Sequence, residues 1–175
     1  MTKIISICNQ KGGTGKTTTA VNLSHALAFL GKRTLLVDLD PQGNASSGVG
    51  VDKSKIEKSV YDVLLNRCEP NEALFTSVHD NLDVMPCNIN LTGAEIELVG
   101  ALSRESRLKK ALKKIEENYE FILIDSPPSL GLLTLNSLVA CHSIIIPIQC
   151  EFYHADIIPR IDRRDQRLFI FHGGF

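Results

Sequence analysis

The 175-residue chain lacks the sequence features of secreted and membrane-spanning proteins. Its amino terminus has no basic segment followed by an apolar one, and no apolar run reaches the roughly 18 residues that a spanning helix needs. The chain also has little net charge, because 19 basic and 20 acidic side chains leave a formal charge of -1. Contact with nucleic acid would therefore require a local basic patch. We expect a cytoplasmic protein with one hydrophobic core.

The cysteines form no recognisable pair or cluster. Their number is odd, they lie far apart in the sequence, and no C-x-x-C motif or neighbouring histidine group accompanies them. This spacing argues against zinc or iron–sulfur ligation, so buried or idle thiols are expected. The five are Cys8, Cys68, Cys87, Cys141 and Cys150.

One segment rich in glycine and lysine, at residues 11–18, lies between an apolar run at 4–8 and a helical pattern. In this position its backbone N–H groups can surround a phosphate, with the amino-terminal end of the helix behind them. Lys16 would reach the β- and γ-phosphates, and the Thr17 hydroxyl would ligate Mg²⁺. Gln10 replaces the first glycine of the common pattern, and Lys11 adds a second lysine. The expected nucleotide-binding residues are Lys11, Gly12, Gly13, Thr14, Gly15, Lys16, Thr17 and Thr18.

Three aspartates close two later apolar runs. Asp38 and Asp40 follow one run, and Asp125 ends another. Taken singly, each aspartate could be a turn or helix-cap residue. With the loop present, a position at the carboxyl end of a parallel strand places Asp125 to hold Mg²⁺ beside Thr17, directly or through water.

These segments carry a family resemblance. The loop, Asp-Leu-Asp-Pro-Gln-Gly-Asn at 38–44 and Ile-Leu-Ile-Asp-Ser-Pro-Pro at 122–128 resemble the ParA/Soj branch of the deviant Walker A ATPases, which segregate chromosomes and plasmids. Residues 88–98 and 147–153 resemble further stretches of that family, and the similarity ends near Tyr153.

The resemblance implies an ATP- and Mg²⁺-dependent ATPase that forms a homodimer on ATP. Lys11 would contact the nucleotide of the other subunit, and Asp40 would position the attacking water, with Asp38 close by. Dimers of this family bind DNA non-specifically and have a ParB-like activating protein, which implies association with the nucleoid and not with a membrane. The implied catalytic residues are Lys11, Lys16 and Asp40, and the implied metal ligands are Thr17 and Asp125.

Strand-like and helical patterns alternate along the chain. This alternation predicts an α/β fold with a doubly wound, mostly parallel sheet and helices on both faces, P-loop NTPase-like and incomplete at its C-terminal side. Residues 43–55, rich in Gly, Ser, Asn and Lys, should form a surface loop near the nucleotide. Predicted strands cover 4–8, 34–38, 82–86, 121–125 and 143–148, and predicted helices cover 16–30, 60–67, 94–102, 106–117 and 132–140.

One predicted helix carries a basic face. Lys109, Lys110, Lys113 and Lys114 lie opposite an apolar stripe formed by residues 108, 111, 112 and 115. A solvated outer face and a DNA contact both fit this pattern.

The last residues depart from the family. Relatives continue well past the segment that matches Tyr153, whereas this chain runs into an Arg- and Asp-rich stretch and stops at Phe175. We therefore predict an ATPase domain at 1–153 and an irregular tail at 154–175, produced by truncation or a frame shift. A sheet that ends early would expose an apolar edge at 143–148.

Two alternatives to a partitioning ATPase remain open on sequence. A MinD-like division-site protein shares the loop but normally ends in an amphipathic membrane helix, and residues 162–167 are polar all round. The second alternative is a defective fragment without turnover, which would result if the segment that relatives have after the position of Tyr153 is needed to enclose the adenine.

Overall fold

The computed structural model describes residues 1–149 and 168–173, whose strands form one seven-stranded sheet. The strands are β1 Lys3–Ile7, β2 Thr34–Asp38, β3 Phe75–His79, β4 Leu82–Met85, β5 Phe121–Asp125, β6 Ser143–Gln149 and β7 Leu168–Gly173. The α-helices are α1 Lys16–Phe29, α2 Asn44–Gly48, α3 Val60–Leu64, α4 Leu91–Leu98, α5 Arg107–Lys113 and α6 Leu132–Ala140. Short 3-10 turns occupy Lys53–Lys55, Pro70–Ala73, Arg104–Ser106 and Glu116–Asn118.

The sheet brings the ends of its central strands together. Its order is β3-β4-β2-β5-β1-β6-β7, and all neighbours are parallel except β3 and β4. In register, Asp125 at the end of β5 lies opposite Ile7 of β1 on one side and Asp38 of β2 on the other. The loops that follow β1, β2 and β5 therefore leave one edge of the sheet side by side, where doubly wound proteins bind ligands.

Both faces of the sheet are covered, which explains the continuous apolar composition of its strands. Every residue of β2 is buried, as expected for a parallel strand inside a three-layer fold. Leu35 and Val37 pack into the core on the side of α3 to α6. Leu36 points to the opposite core, with Ala20 and Ala28 of α1.

Small residues let α1 lie close to the sheet. Ala20, Ser24 and Ala28 recur every four residues and are buried, so one narrow stripe of the helix faces the strands. The helix ends just before Gly31, which has a positive φ of 77° and is the usual residue for such a helix end.

The predicted fold class is confirmed, and the sheet is mostly parallel with P-loop NTPase-like connectivity. Strand β3 was not predicted. It is antiparallel to β4 and its residues are exposed or half-buried, so it carries no buried apolar pattern that could have revealed it. The loop expected at 43–55 instead contains α2, whose Ala45 and Ser46 are fully buried.

The apolar stripe predicted for α5 is confirmed, because Leu108, Ala111, Leu112 and Ile115 are all buried. This helix is shorter than expected, since 3-10 turns replace its predicted ends.

The expectation of an irregular tail is wrong at its far end. Strand β7 pairs in parallel with β6 over six positions, from Ile144 with Leu168 to Gln149 with Gly173. The edge that we expected at 143–148 is therefore covered. The sequence Leu-Phe-Ile-Phe-His at 168–172 is a short strand-forming run, which the preceding charged stretch obscured. Residues 154–167 lie outside the described residues.

Within the described part of the chain, no helix combines the length and the apolar composition needed to cross a lipid bilayer.

Candidate functional site

The loop between β1 and α1 has the backbone of an anion-binding turn. Gly13 and Gly15 adopt positive φ values of 76° and 87°, a region that strains residues with a Cβ atom. Apart from the chain neighbours, no atom of the described residues lies within 4 Å of the position that a Cβ would take at either glycine. Lys16 follows at once as the first residue of α1, so the positive end of this 14-residue helix faces the loop.

Polar contacts hold the loop in shape. Asn9 donates from Nδ2 to the Pro147 carbonyl of β6 at 2.8 Å and accepts the Lys11 N–H at 3.0 Å. The Thr14 hydroxyl and the Lys16 ammonium both donate to the Lys11 carbonyl at 3.3 Å. The Lys16 side chain is therefore folded over the loop, and only 7% of the residue is exposed. Asn9 was not predicted, although its place at the end of β1 was the available signal.

Asp125 is a buried carboxylate at the carboxyl end of β5. It is fully inaccessible, and neither carboxylate oxygen accepts a hydrogen bond of normal geometry from the described residues. Burial raises the pKa of Asp125 from 3.8 to about 7, an effect that the nearby Thr17 hydroxyl partly offsets and that Asp38 and Asp40 increase. A native protein leaves a buried carboxylate unsatisfied at a cost, so this residue is a candidate cation ligand.

Asp38 lies opposite Asp125 in the sheet but has its hydrogen bonds satisfied. Its Oδ2 accepts both the backbone N–H and the hydroxyl of Ser46, at 2.7 and 2.6 Å. Its Oδ1 accepts the Asp40 N–H at 3.3 Å. Burial raises the pKa of Asp38, and the bonds from Ser46 counteract that rise. Asp38 thus has a structural task, which is to tie α2 to the end of β2.

Asp40 begins a tight turn directly after β2. Its Oδ1 accepts the Gln42 N–H at 2.9 Å, and its carbonyl accepts the Gly43 N–H at 2.9 Å. Among the described residues no hydrogen bond to its other carboxylate oxygen is found, and the residue is 9% exposed. This arrangement fits a carboxylate held at a fixed position with an oxygen free to orient a water molecule.

Two residues outside the predicted set hold this turn in place. The buried Cys87 thiol donates to the Asp40 carbonyl at 2.8 Å, and the Lys53 ammonium donates to the Gln42 carbonyl at 2.7 Å. Gly43 lies beneath both, with a φ of 65°. Cys87 is buried, which agrees with the expectation of buried or idle thiols, but its contact with the Asp40 turn was not predicted.

The structure thus gathers the predicted residues at one edge of the sheet. Lys16, Thr17 and Asp125 lie together, and Asp40 lies one strand away. Lys11, Gly12, Gly13 and Thr18 are exposed on the outer side of the loop. An exposed Lys11 is suited to contact a second molecule. The individual roles of these residues stay predictions.

Comparison with known proteins identifies the family. A family model described as an AAA domain matches residues 2–164. The sporulation initiation inhibitor protein Soj of Bacillus subtilis is 57% identical over 153 residues, covering 87% of this chain and 60% of Soj. The chromosome partitioning protein ParA of Myxococcus xanthus is 53% identical over 151 residues, covering 86% of this chain and 53% of ParA.

A solved structure has the same fold as this chain. Cobyrinic acid a,c-diamide synthase from Mycobacterium smegmatis, crystallised with an ATP analogue and magnesium, is 40% identical. It superposes with a TM-score of 0.85, covering 97% of this chain and 72% of that one. The present chain spans about 60% of the length of Soj. On these grounds the chain belongs to the ParA/Soj-type family of P-loop ATPases.

Proposed function

We propose that this chain binds Mg-ATP at residues 11–18 and uses ATP as a dimerisation switch in the segregation of chromosomes or plasmids. The observation that carries the proposal is Asp125, which is fully buried and has no hydrogen-bond partner among the described residues. Its neighbours are the Thr17 hydroxyl, which would be a second cation ligand, and the Lys16 ammonium, which would pair with the phosphates.

The residues fit magnesium bound together with a nucleotide. Magnesium is usually held by one or two protein oxygens, with water and substrate phosphates completing the shell. Thr17 and Asp125 would supply these oxygens, and when bound the ion would neutralise charge on the β- and γ-phosphates. The unsatisfied oxygens of Asp125 support this assignment, because a cation would relieve the cost of burying the carboxylate.

The remaining roles follow from the chemistry of phosphoryl transfer, which needs positioning and charge neutralisation more than covalent help. Lys16 stabilises the transferred phosphoryl group, and Asp40 orients the attacking water from its fixed turn. Lys11, exposed on the loop, acts on the nucleotide of a second subunit in the manner of an arginine finger. Turnover then requires dimerisation, and ATP acts as a timer of association.

The proposal also includes a cellular role in segregation, with a location and partners for the whole protein. The names of the Soj and ParA relatives support chromosome partitioning. We propose an ATPase domain at residues 1–153, a cytoplasmic protein associated with the nucleoid, non-specific DNA as a ligand of the dimer, and a ParB-like protein as its activator.

Lys11→Ala tests the switch. We expect the variant to bind Mg-ATP within about threefold of the wild type, since the phosphate cradle is formed by backbone groups and Lys16. Its turnover should fall by about a hundredfold or more, because the charge supplied to the partner's nucleotide is lost. Steady-state hydrolysis and sedimentation across a range of protein concentrations measure both, with Lys109→Ala as a control that removes an exposed lysine from α5. A wild type that hydrolyses ATP as a monomer, at one specific rate at all concentrations, contradicts the proposal.

A further inference from the structure

A cavity lies between α3 and α5, away from the loop and the three aspartates. It encloses about 650 Å³, within the range of roughly 300–1,000 Å³ found for small-molecule sites. Its floor includes Val63 and Ala111, which belong to the buried core. We call it the α3–α5 cleft. None of its lining residues belongs to the proposed nucleotide site.

Four basic side chains line the α3–α5 cleft against two acidic ones. Both glutamates are already neutralised, since Glu69 pairs with Lys114 at 2.7 Å and Glu72 pairs with Lys58. Arg67 is neutralised as well, through Glu97 at 2.7 Å. Of the four basic side chains that line the cleft, Arg107 and Lys110 are the two that no glutamate in the described part of the chain neutralises.

Arg107 and Lys110 have no ionic or hydrogen-bonding partner for their side chains among the described residues. They are three residues apart on α5, so they lie on the same face of the helix. Because the chain as a whole carries a charge of -1, this pair is a local excess of positive charge in a concave site.

We propose that the α3–α5 cleft binds a small phosphate-bearing anion. An arginine and a lysine that converge in a partly enclosed site match the geometry and charge of a phosphate group. The cavity has the volume of a small ligand. The basic face of α5 is thereby divided, because Lys110 and Lys114 line the cleft and Lys109 and Lys113 do not.

Calorimetric titration with inorganic pyrophosphate tests the site. Lys16→Ala serves as the background, so that binding at the loop is weakened equally in every protein compared. We expect saturable binding in this background, weakened about tenfold or more by Arg107→Gln with Lys110→Gln. Lys109→Gln removes the same charge from the same helix outside the cleft, and should change the affinity less than about twofold.

Thermal unfolding checks that the variants fold. If the double variant does not fold, Lys110→Gln alone replaces it, because Lys110 is exposed and its substitution does not disturb the core. The proposal is overturned if pyrophosphate does not bind saturably in the Lys16→Ala background, or if Lys109→Gln weakens binding as much as the cleft variant. It is also overturned if Arg107→Gln with Lys110→Gln weakens binding of a DNA duplex but not of pyrophosphate, because the α3–α5 cleft would then be a nucleic-acid contact.

Discussion

Two aspartates at adjacent strand ends show how burial and hydrogen bonding separate a structural residue from a functional one. Asp38 and Asp125 are both fully buried and lie opposite each other in the sheet. Asp38 accepts three hydrogen bonds from Ser46 and Asp40, whereas Asp125 accepts none from the described residues. The arrangement at Asp125 lowers the stability of the protein by itself, which is typical of a site shaped for a ligand.

Asp125→Asn should therefore stabilise the protein while damaging the site. The pKa of Asp125 is raised from 3.8 to about 7, so the native state binds more protons than the unfolded chain between these values. Its stabilising contribution is complete below the unfolded pKa and is lost as the pH rises through the folded pKa. At pH 8 we expect the free energy of unfolding of Asp125→Asn to exceed that of the wild type by about 2 kcal/mol, while Mg-dependent ATP affinity falls.

Urea unfolding at pH 5 and pH 8 measures this difference, which should shrink at the lower pH. Asp80→Asn, on an exposed turn, is the matched control and should change stability by less than about 0.5 kcal/mol. An Asp125→Asn protein that is less stable than the wild type at pH 8 would show that Asp125 is a structural residue.

Gly43 tests the turn that carries Asp40. A Cβ at this position would lie 2.9 Å from Lys53 Cε and 3.2 Å from Cys87 Sγ, at a φ of 65°. Gly50 also has a positive φ, 88°, but a Cβ there would meet open space. Both Gly→Ala variants bear the backbone strain, and only Gly43→Ala adds the overlap, so it should be less stable than Gly50→Ala by about 1 kcal/mol. Equal losses of stability in thermal unfolding of the two variants would contradict this packing.

At the scale of elements, the buried strands could be predicted and the edges of the sheet could not. Strands β2 and β5 begin and end where the apolar runs do, because both faces of a central parallel strand are buried. Strand β3 has no such pattern, since none of its residues is buried and it pairs in the antiparallel direction. Helix α2 forms from a sequence that resembles a loop, because Asp38 binds the backbone and side chain of Ser46.

Strand β7 allows a direct test of its pairing. Deletion of residues 168–173 should leave the outer edge of β6 unpaired, and the exchange protection of the β6 amides should fall as local opening becomes easier. The amides of β2, which lies between β4 and β5, are the internal control and should keep their protection. Hydrogen–deuterium exchange with peptide resolution measures both strands. Unchanged protection in β6 would contradict the parallel pairing.

At the scale of the whole molecule, the sequence located the centre of the candidate site but not its supports. The loop, Asp40 and Asp125 were predictable, because their residue types and their positions after apolar runs carry chemical meaning. Asn9, Lys53 and Cys87 were not, since each acts through a backbone carbonyl that folding brings near. The contacts of Asn9 and Cys87 join chain segments that are 138 and 47 residues apart in the sequence.

The central claim is that this chain binds Mg-ATP through residues 11–18 and Asp125. Calorimetric titration with Mg-ATP, with Lys16→Ala alongside, tests it most directly. The account predicts saturable binding by the wild type, weakened about tenfold to a hundredfold in the variant through loss of a charge-assisted contact to phosphate. The claim would be contradicted by a folded wild type that does not bind Mg-ATP, or by an affinity for Mg-ATP that is the same in the wild type and in Lys16→Ala.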